Sequence, residues 1–485
     1  MTGKIRSWNK LAAPLAVLAA AVIITVVLFL PPCIGMEDNG DFQRVTYAQG
    51  LYDLPQNSEY LYNGYYIREY GIMQYFNEYE TTVYSSQFLL IQPAIWLDKL
   101  FTGNDAVFDL RFLAGVLSVY FLVVLYFFVD YLSDRLTLVS ALAVGAVCLF
   151  VLLDTGYTAY FSSFYAEPVA YISLLACVTS LLLYIDGRYR PGVLLAAFVV
   201  NGLVLTFSKQ QFAPIGVLLA ILIFLFFKKE RGKLFRAAIV AGSFALAASG
   251  VIVYLLISDS FTNINMYHSM TRGVLMISDN PVEALESFDI DEQFELLDGT
   301  IYFDKYPEID PENPLLADRF YSQYNVLSIA KYYLENPESF VNMLKLAAKS
   351  AYQNRPNMGN YEASAGYPAN TLADTFSLYS SLKLANAPRT IGFVVIWAVS
   401  VLGLLYRKPR KLLVMLGLMA IGLSQVAVSI LGAGDADLAK HIFLYNVAFD
   451  FVNVIMVVHA IRFFDGKYRQ KRQRALAAAE AGTDA

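Results

Sequence analysis

Ten long apolar runs dominate this chain of 485 residues. A helix that crosses about 30 Å of hydrocarbon needs about 20 mostly apolar residues. Hydrophobic residues make up 57% of the chain and charged residues only 16%, whereas soluble domains contain about 25% charged residues. The sequence therefore predicts an all-α polytopic membrane protein, and it excludes a soluble multidomain chain, a disulfide scaffold and a disordered protein. The ten predicted transmembrane helices cover about 11–30, 112–132, 137–153, 168–186, 191–208, 212–227, 236–257, 390–406, 412–432 and 441–463.

Lysine and arginine are unevenly distributed among the segments that connect these runs. With the N-terminus inside, the inner segments carry 20 Lys and Arg residues, whereas the three short outer loops carry only Lys209 and Lys440. Because positive residues favour the cytoplasmic side, this pattern predicts cytoplasmic N- and C-termini in a bacterial-type plasma membrane. The basic residues form short clusters between apolar runs, so we expect the lipid bilayer and no nucleic acid as a partner.

This orientation divides the chain into six segments, two of which are long, acidic and extracytoplasmic. The two long segments contain 11 and 18 acidic residues against 4 and 9 basic ones. The tail is expected to begin as a basic helix at the inner headgroups and to end in a disordered Ala-rich stretch. The segments are 1–30 (inside segment and first helix), 31–111 (first outer loop), 112–257 (helices two to seven), 258–389 (large outer loop), 390–463 (helices eight to ten) and 464–485 (basic cytoplasmic tail).

Both long outer segments contain predicted helices. The apolar stretch 88–101 is too short to span and is interrupted by Pro93, which favours an amphipathic helix lying on the outer interface. In the second segment, Asn336, Pro337 and Glu338 are typical of an N-cap, a first-turn proline and a first-turn acid. Apolar residues at helical spacing follow them. We therefore expect a soluble helix there.

Three carboxylates follow the first span within five residues: Glu37, Asp38 and Asp41. At this position they would lie at the mouth of the helix bundle. Such a group can take a proton from a hydroxyl, or hold a divalent cation together with a phosphate. Glu37 and Asp38 are the candidate metal ligands, although the sequence does not require a metal. Acidic loops after a span are also common as solvated surface, so composition leaves both interpretations open.

Several motifs resemble the GT-C superfamily of integral-membrane glycosyltransferases, which use lipid-phosphate-linked sugars. The resemblance covers about residues 11–260 and begins with the acidic first outer loop. The other motifs that carry it are the stretch from Phe88 to Gly103, Arg111 at the start of the second span, Tyr165-Ala166-Glu167-Pro168, and Thr206-Phe207-Ser208-Lys209. The resemblance implies a GT-C-like helical fold with an active site on the extracytoplasmic face.

Two shorter motifs resemble the bacterial hexose transferases of S-layer or cell-surface glycan biosynthesis. They are Asn39-Gly40-Asp41-Phe42 with Arg44-Val45, and the late Met358-Gly359-Asn360-Tyr361-Glu362. The chain departs from the protein mannosyltransferase pattern, which has an Asp-Glu pair where this chain has Glu37-Asp38. The resemblance implies transfer of a hexose from a polyprenyl-phosphate-linked sugar to a glycan acceptor.

Such a transfer needs at least one carboxylate and one cation. The polyprenyl phosphate leaves as an anion, and the acceptor hydroxyl needs a base. We predict Asp41 as the base, with Asp38 as the second candidate or a metal ligand. Snorkelling of a cation to the headgroups is the ordinary alternative for a basic residue at a helix end. The predicted donor-phosphate ligands are Lys209, Arg111 and Arg44, and the predicted substrate-binding residues are Glu167, Tyr165 and His268.

Two other functions fit the same layout. A lipid-linked sugar transporter or flippase would be expected to carry ionisable residues in the middle of its spans, and the ten runs are nearly free of them. A non-catalytic polysaccharide-assembly scaffold would show no such signature. The identity of the hexose, the acceptor and the metal requirement are not encoded in any motif that we recognise.

Overall fold

The computed structural model of the protein describes residues 9–75, 84–229, 232–257 and 259–483. Within these residues, seven helices are long and apolar enough to cross a membrane, or nine if each of two bent helix pairs is counted as one span. The chain is therefore a mostly helical polytopic membrane protein, as predicted. The number of spans in the described part is seven to nine, not the ten expected.

The helices follow one another with short connections through most of the chain. The α-helices are α1 (Ala12–Ile24), α2 (Gln43–Thr46), α3 (Phe88–Thr102), α4 (Arg111–Ser133), α5 (Leu138–Leu152), α6 (Thr155–Thr158), α7 (Glu167–Ile185), α8 (Pro191–Ser208), α9 (Ala213–Leu222), α10 (Lys233–Leu255), α11 (Asp259–His268), α12 (Pro281–Glu286), α13 (Pro314–Arg319), α14 (Val326–Glu335), α15 (Pro337–Ser350), α16 (Leu378–Asn386), α17 (Ile391–Leu405), α18 (Pro409–Ala433), α19 (Leu438–His441) and α20 (Phe443–Thr483). The 3-10 and π-helical segments are Asn9–Leu11, Thr25–Phe29, Tyr47–Gln49, Pro55–Asn57, Ala159–Phe161, Gln210–Phe212, Ile223–Phe226, Ser269–Leu275, Glu292–Leu297, Tyr321–Gln323 and Ala363–Ala365.

Three of the predicted spans are not straight helices of full length, because two are bent and one is too short. The α5 helix turns by 52° into Thr155–Phe161, and α16 turns by 114° into α17. The first bend lies at Asp154, whose carboxylate accepts a hydrogen bond from the Gly156 N–H and so begins a new helix. The third segment, Gln210–Phe226, is an apolar helix too short to count as a span by itself.

Most of the long helices run between two chemically different ends of the bundle. The end that carries Asp38 and Asp41 is called the acidic end here. At the other end, the basic end, Arg188 pairs with Asp130 at 2.5 Å and Lys411 pairs with Asp186 at 2.7 Å. Basic residues from several predicted inner segments therefore share one end. Which side of the membrane each end faces stays a prediction.

A small β-sheet corrects the all-α prediction. Strands β1 (Leu51–Asp53), β2 (Glu69–Ile72) and β3 (Val107–Asp109) form an antiparallel sheet in the order β1-β2-β3. Tyr70 on β2 lies opposite Asp53 and Phe108, and its ring packs against Phe164 at 4.9 Å between centroids. Strands of three or four residues give too short an alternation to be recognised in a sequence. The sheet belongs to the first outer loop itself, since all three strands lie within residues 31–111.

The helices predicted in the two long outer segments are present. The first, α3, exposes Trp96 and Phe101, with 73% and 75% of their surface accessible, and buries Ile95 and Asp98. This apolar exposed face fits the predicted interfacial position, which itself stays a prediction. The second, α15, begins at Pro337 as expected.

The tail differs from the prediction. The last helix, α20, continues without interruption to Thr483, so the Ala-rich end is helical and the expectation of disorder was wrong. Alanine has the highest helix propensity of all residues, which explains why the helix extends beyond the apolar part.

The most buried span is α7, with 94% of its residues inside the protein. It packs against α4, α8, α18 and α20. Because Glu167 is the first residue of α7, this packing places a carboxylate inside the acidic end of the bundle.

Candidate active site

The loop that follows α1 is held in a tight turn by its own aspartate. Asp38 Oδ1 accepts hydrogen bonds from the N–H groups of Gly40 at 2.8 Å and Phe42 at 3.1 Å. Gly40 has a φ of +97°, which an L side chain rarely adopts. The turn places Asp41 immediately before α2 and directs its carboxylate toward cations from other parts of the chain.

Asp41 is bound by two cations. Lys440, from α19, donates a hydrogen bond to Asp41 Oδ2, and Arg44 Nη1 lies 3.0 Å from Asp41 Oδ1. The Lys440 side chain is only 3% exposed, while that of Asp41 is 26% exposed. Arg44 also stacks on the ring of Phe261, 3.9 Å from its centroid. Although burial opposes the effect, the charges of Lys440 and Arg44 hold the pKa of Asp41 well below its usual range.

Lys440 connects several groups of this cluster. Its ammonium group donates to Asn39 Oδ1 at 2.9 Å and lies 4.5 Å from the ring centroid of Tyr165. The Tyr165 hydroxyl lies 2.9 Å from the Glu37 carbonyl and 3.0 Å from Asn39 Oδ1, and it accepts from the Asn39 N–H at 3.1 Å. Tyr165 therefore holds the acidic loop in place and supports the Lys440 cation.

A second ion pair borders the first. Lys209 Nζ donates to Glu167 Oε1 at 2.9 Å, joining the end of α8 to the beginning of α7. The Glu167 side chain is 2% exposed, and its Oε2 has no hydrogen-bond partner in the part of the chain that the structure describes. The charge of Lys209 also lowers the pKa of Asp41, so both ion pairs belong to one electrostatic cluster.

Asp38 has one free oxygen within this cluster. Its Oδ2 is buried and has no hydrogen-bond partner among the described residues. Burial outweighs the hydrogen bonds from Phe42 and Gly40 and raises the pKa of Asp38 to about 7. Burial, followed by the charge of Asp38, raises the pKa of the nearby Tyr62 to about 12. Asp38 therefore changes its charge near neutral pH.

Glu37 does not fit the predicted metal site. Its two carboxylate oxygens accept hydrogen bonds from the backbone N–H groups of Gly64 at 2.6 Å and Gly359 at 3.0 Å. The described residues include no group of three or more His, Cys, Asp or Glu side chains that could hold a metal ion. Glu37 is a structural carboxylate, because it joins three separate segments of the backbone.

The late motif 358–362 packs directly on the acidic loop. The Gly35 N–H donates to the Asn360 carbonyl at 3.1 Å, and the Glu37 N–H donates to the Gly359 carbonyl at 2.9 Å. A Cβ atom on Gly359 would lie 1.8 Å from the Gly64 carbonyl oxygen, so no other residue fits there. The late motif thus forms one backbone interface with Gly35 and Glu37, which precede the motif Asn39-Gly40-Asp41-Phe42 in the same loop.

Arg111 belongs to an ion-pair group that is separate from the cluster around Asp41, where the donor phosphate was expected to bind. Its Nε and Nη2 bind the Asp109 carboxylate at 2.9 and 2.6 Å, and Asp109 also pairs with Arg68 at 3.6 Å. The structure shows no contact between Arg111 and Asp41 within the described residues. Arg111 is therefore not brought to the cluster as predicted, because the carboxylate two positions before it occupies its guanidinium group.

His268 lies at the edge of the cluster. Its Nε2 accepts a hydrogen bond from the Tyr302 N–H at 2.9 Å. Burial lowers the pKa of His268 to about 4, and the charge of Asp437 opposes this shift. Asp437 Oδ2 in turn accepts from Asn39 Nδ2 at 3.3 Å. His268 is a neutral acceptor that fixes a loop beside the site.

The cluster contains residues that the sequence interpretation did not select. The most important are Lys440 and Asn39, and Gln211 joins α19 by donating to the His441 carbonyl at 2.6 Å. One signal was available for Lys440. Lys209 and Lys440 are the two basic residues of the short predicted outer loops, and both lie at the acidic cluster.

The fold and this cluster define a class: a polytopic helical membrane protein with a buried acidic and basic cluster at one end of its bundle. More narrowly, the chain belongs to the family described as the YfdI N-terminal transmembrane domain, whose model matches residues 3–480. A comparison with curated proteins finds no match, and neither does a comparison with solved structures.

Proposed function

We propose that the protein is a membrane glycosyltransferase that moves a hexose from a polyprenyl-phosphate-linked donor to a cell-surface glycan acceptor on the extracytoplasmic face. The observation that carries this proposal is the Asp38 oxygen that has no partner among the described residues, in the same loop as Asp41 and its cations Lys440 and Arg44. A carboxylate with a free oxygen and a group of cations is the pair of functions that the transfer requires.

The cations serve the leaving group. When the bond between the sugar and the polyprenyl phosphate breaks, the phosphate takes the electron pair and its negative charge must be stabilised. Arg44 and Lys209 keep 33% and 20% of their side chains exposed, whereas Lys440 is buried. Arg44 and Lys209 are therefore the groups that a phosphate would reach first. Lys440 contributes its positive charge from a buried position.

The roles of the two aspartates are best assigned in the reverse of the order expected from the sequence. Asp41 is occupied by Lys440 and Arg44, so its basicity is low. Asp38 has a free oxygen and a pKa of about 7, which matches the optimum for a general base near neutral pH. Asp38 accepts the proton of the acceptor hydroxyl, and Asp41 positions the cations.

The predicted orientation explains why the donor is carried by lipid. Nucleotide sugars are made in the cytosol, so a transferase that acts on the other side needs a donor that crosses the membrane. The predicted topology places the acidic end outside and the basic end inside. A lipid-linked sugar can reach the acidic end through the bilayer beside α8, the less buried helix that Lys209 follows.

The first experiment is mass analysis of surface glycans from a strain that lacks the gene. The second measures hexose transfer by the purified full-length protein in lipid nanodiscs. The missing hexose names the donor, which is then supplied as its polyprenyl phosphate. Asp38→Asn and Asp41→Asn are expected to lose most of the transfer. Asp279→Asn changes an exposed carboxylate and is the matched control. A glycan profile that is unchanged in the deletion strain, or full activity of both variants, contradicts the proposal and favours a transporter or a scaffold.

A further inference from the structure

A cleft at the basic end is lined by three cationic side chains and a histidine: Lys408, Lys411, Arg462 and His459. It is a narrow cleft of about 30 Å³ that opens to the surface. None of the side chains that line it, in the part of the chain that the structure describes, is acidic. The remaining wall is largely apolar and includes Leu182, Leu405, Met415 and Val458. Because these four apolar side chains are almost fully buried, the positive charges are what the cleft offers to a ligand.

The positive charge of the cleft is only partly compensated. Asp186 pairs with Lys411 at 2.7 Å. Arg462 Nη2 donates to the carbonyls of Tyr131 and Leu132 at 3.0 Å each, and its Nε is buried without a partner among the described residues. Lys408 contacts His459 at 3.3 Å. One carboxylate therefore faces three cations.

The cations also act on one another. Burial lowers the pKa of Lys408, and the charges of Lys411 and Arg462 lower it further. An anion in the cleft would relieve this repulsion. Basic pockets between helices at the cytoplasmic surface are known to attract lipid headgroups.

We propose that this cleft binds the phosphate headgroup of an anionic lipid through Lys408, Lys411 and Arg462. A phosphate can accept hydrogen bonds from several cations at once. The predicted topology places this end of the bundle at the cytoplasmic leaflet, which carries anionic lipid. Arg462 is 19 positions from Phe443, the first residue of α20, which corresponds to about 29 Å of helix, and Lys440 lies just before that helix. The lipid site is therefore separate from the acidic cluster.

The experiment is native mass spectrometry of the full-length protein in detergent. The probes are palmitoyl-oleoyl phosphatidylglycerol and the phosphatidylcholine with the same chains. The protein is expected to retain phosphatidylglycerol preferentially. A surface lysine contributes roughly fivefold to anionic-lipid affinity, so the Lys408→Gln/Lys411→Gln variant should bind about 30-fold more weakly. Lys408→Gln alone breaks no ion pair of the described residues, and it should bind about fivefold more weakly even if the double variant folds poorly.

The matched control is Arg407→Gln/Arg410→Gln, which removes the same charge from exposed neighbours that do not line the cleft. It should retain the phosphatidylglycerol. An equal loss in both double variants would mean general surface attraction and would overturn the proposal. Equal retention of the two lipids would overturn it as well. Displacement of the lipid by millimolar inorganic phosphate would assign the cleft to free phosphate instead.

Discussion

The ammonium group of Lys440 donates a hydrogen bond to the Asp41 carboxylate, although 399 positions separate the two residues in the chain. Glu167 and Lys209, from the middle of the chain, form the neighbouring pair. The candidate site is thus assembled from three distant parts of the sequence. Its integrity depends on the packing of the whole bundle, so changes at the site should be visible in stability as well as in function.

Lys440→Met should destabilise the protein by about 1–3 kcal/mol, because it leaves Asp41 with Arg44 as its remaining described partner. The value is below that for a fully buried pair, since the Asp41 side chain is 26% exposed. The measurement is the free energy of unfolding of the purified protein in denaturant. Adding Asp41→Asn should recover part of the loss.

Lys331→Met is the control for this change, because Lys331 belongs to an exposed pair with Glu335 and should cost little. If the double variant Lys440→Met/Asp41→Asn loses the sum of the two single losses, the two residues are not coupled and the electrostatic account of the cluster is wrong.

Asp38→Asn should make the protein more stable above pH 7 while abolishing transfer. The pKa of Asp38 is raised to about 7 in the folded protein, against about 3.9 when unfolded. Its stabilising contribution is therefore fully present below about pH 3.9 and is lost as the pH rises through about 7. At pH 8 the free energy of unfolding of the wild type should be lower than that of the variant by up to about 4 kcal/mol. Unfolding curves at pH 5 and pH 8 measure this, and a gap that does not widen with pH contradicts the assignment.

Much of the candidate site could be predicted from the sequence because its motifs lie at helix ends. The acidic loop after the first span, Glu167 at the start of a helix and Lys209 at the end of another were identified by position and type. Lys440 was not selected, because no local motif links it to Asp41. Arg111 lies in a separate ion-pair group, because Asp109 binds its guanidinium group, and the sequence does not show this contact.

The fold could be predicted where it depends on apolar length and not where it depends on tertiary contacts. Seven long spans are present because their apolar runs are uninterrupted. The bend between α5 and α6 results from hydrogen bonds to Asp154, one of which comes from Ser380 at 2.8 Å, 226 positions away. Such a partner has no signal in a single sequence. The same holds for the sheet, whose strands β1 and β3 are each three residues long.

Glu37→Gln should lower the free energy of unfolding by about 1–3 kcal/mol without changing the transfer rate of the folded fraction. The amide can accept through its single oxygen, so one of the N–H groups of Gly64 and Gly359 is left without its partner. Denaturant unfolding and the transfer assay are measured on the same sample. Glu59→Gln, at an exposed position, is the control. A selective loss of transfer at unchanged stability would give Glu37 a chemical role after all.

His268→Gln should protect the protein against acid. The pKa of His268 is lowered to about 4 in the folded protein, against about 6.5 when unfolded. Its contribution to stability is therefore present above about pH 6.5 and is lost as the pH falls through about 4. The loss lowers the free energy of unfolding by up to about 3 kcal/mol. Glutamine can still accept from the Tyr302 N–H but does not titrate. Parallel pH-stability curves of wild type and variant between pH 7 and pH 4 would contradict this.

A buried ion pair outside the candidate site joins the large outer segment to the last span. Lys383 Nζ, on α16, lies 2.9 Å from both carboxylate oxygens of Asp450 on α20. The two side chains are 4% and 0% exposed. The Tyr379 hydroxyl also donates to Asp450 at 2.5 Å. The Tyr157 hydroxyl donates to the other oxygen of the same carboxylate. The pair fixes the bent helix pair against the bundle.

Lys383→Met should therefore destabilise the protein by about 3–5 kcal/mol, because the Asp450 carboxylate would remain buried with phenol donors in place of a cation. Lys383→Met/Asp450→Asn should recover much of this loss, since a neutral amide is far less costly to bury. Lys345→Met changes an exposed lysine of α15 and should be nearly neutral. The free energy of unfolding is measured for all three. A double variant as unstable as Lys383→Met would mean that packing of the Lys383 side chain, and not its charge, holds α16 in place.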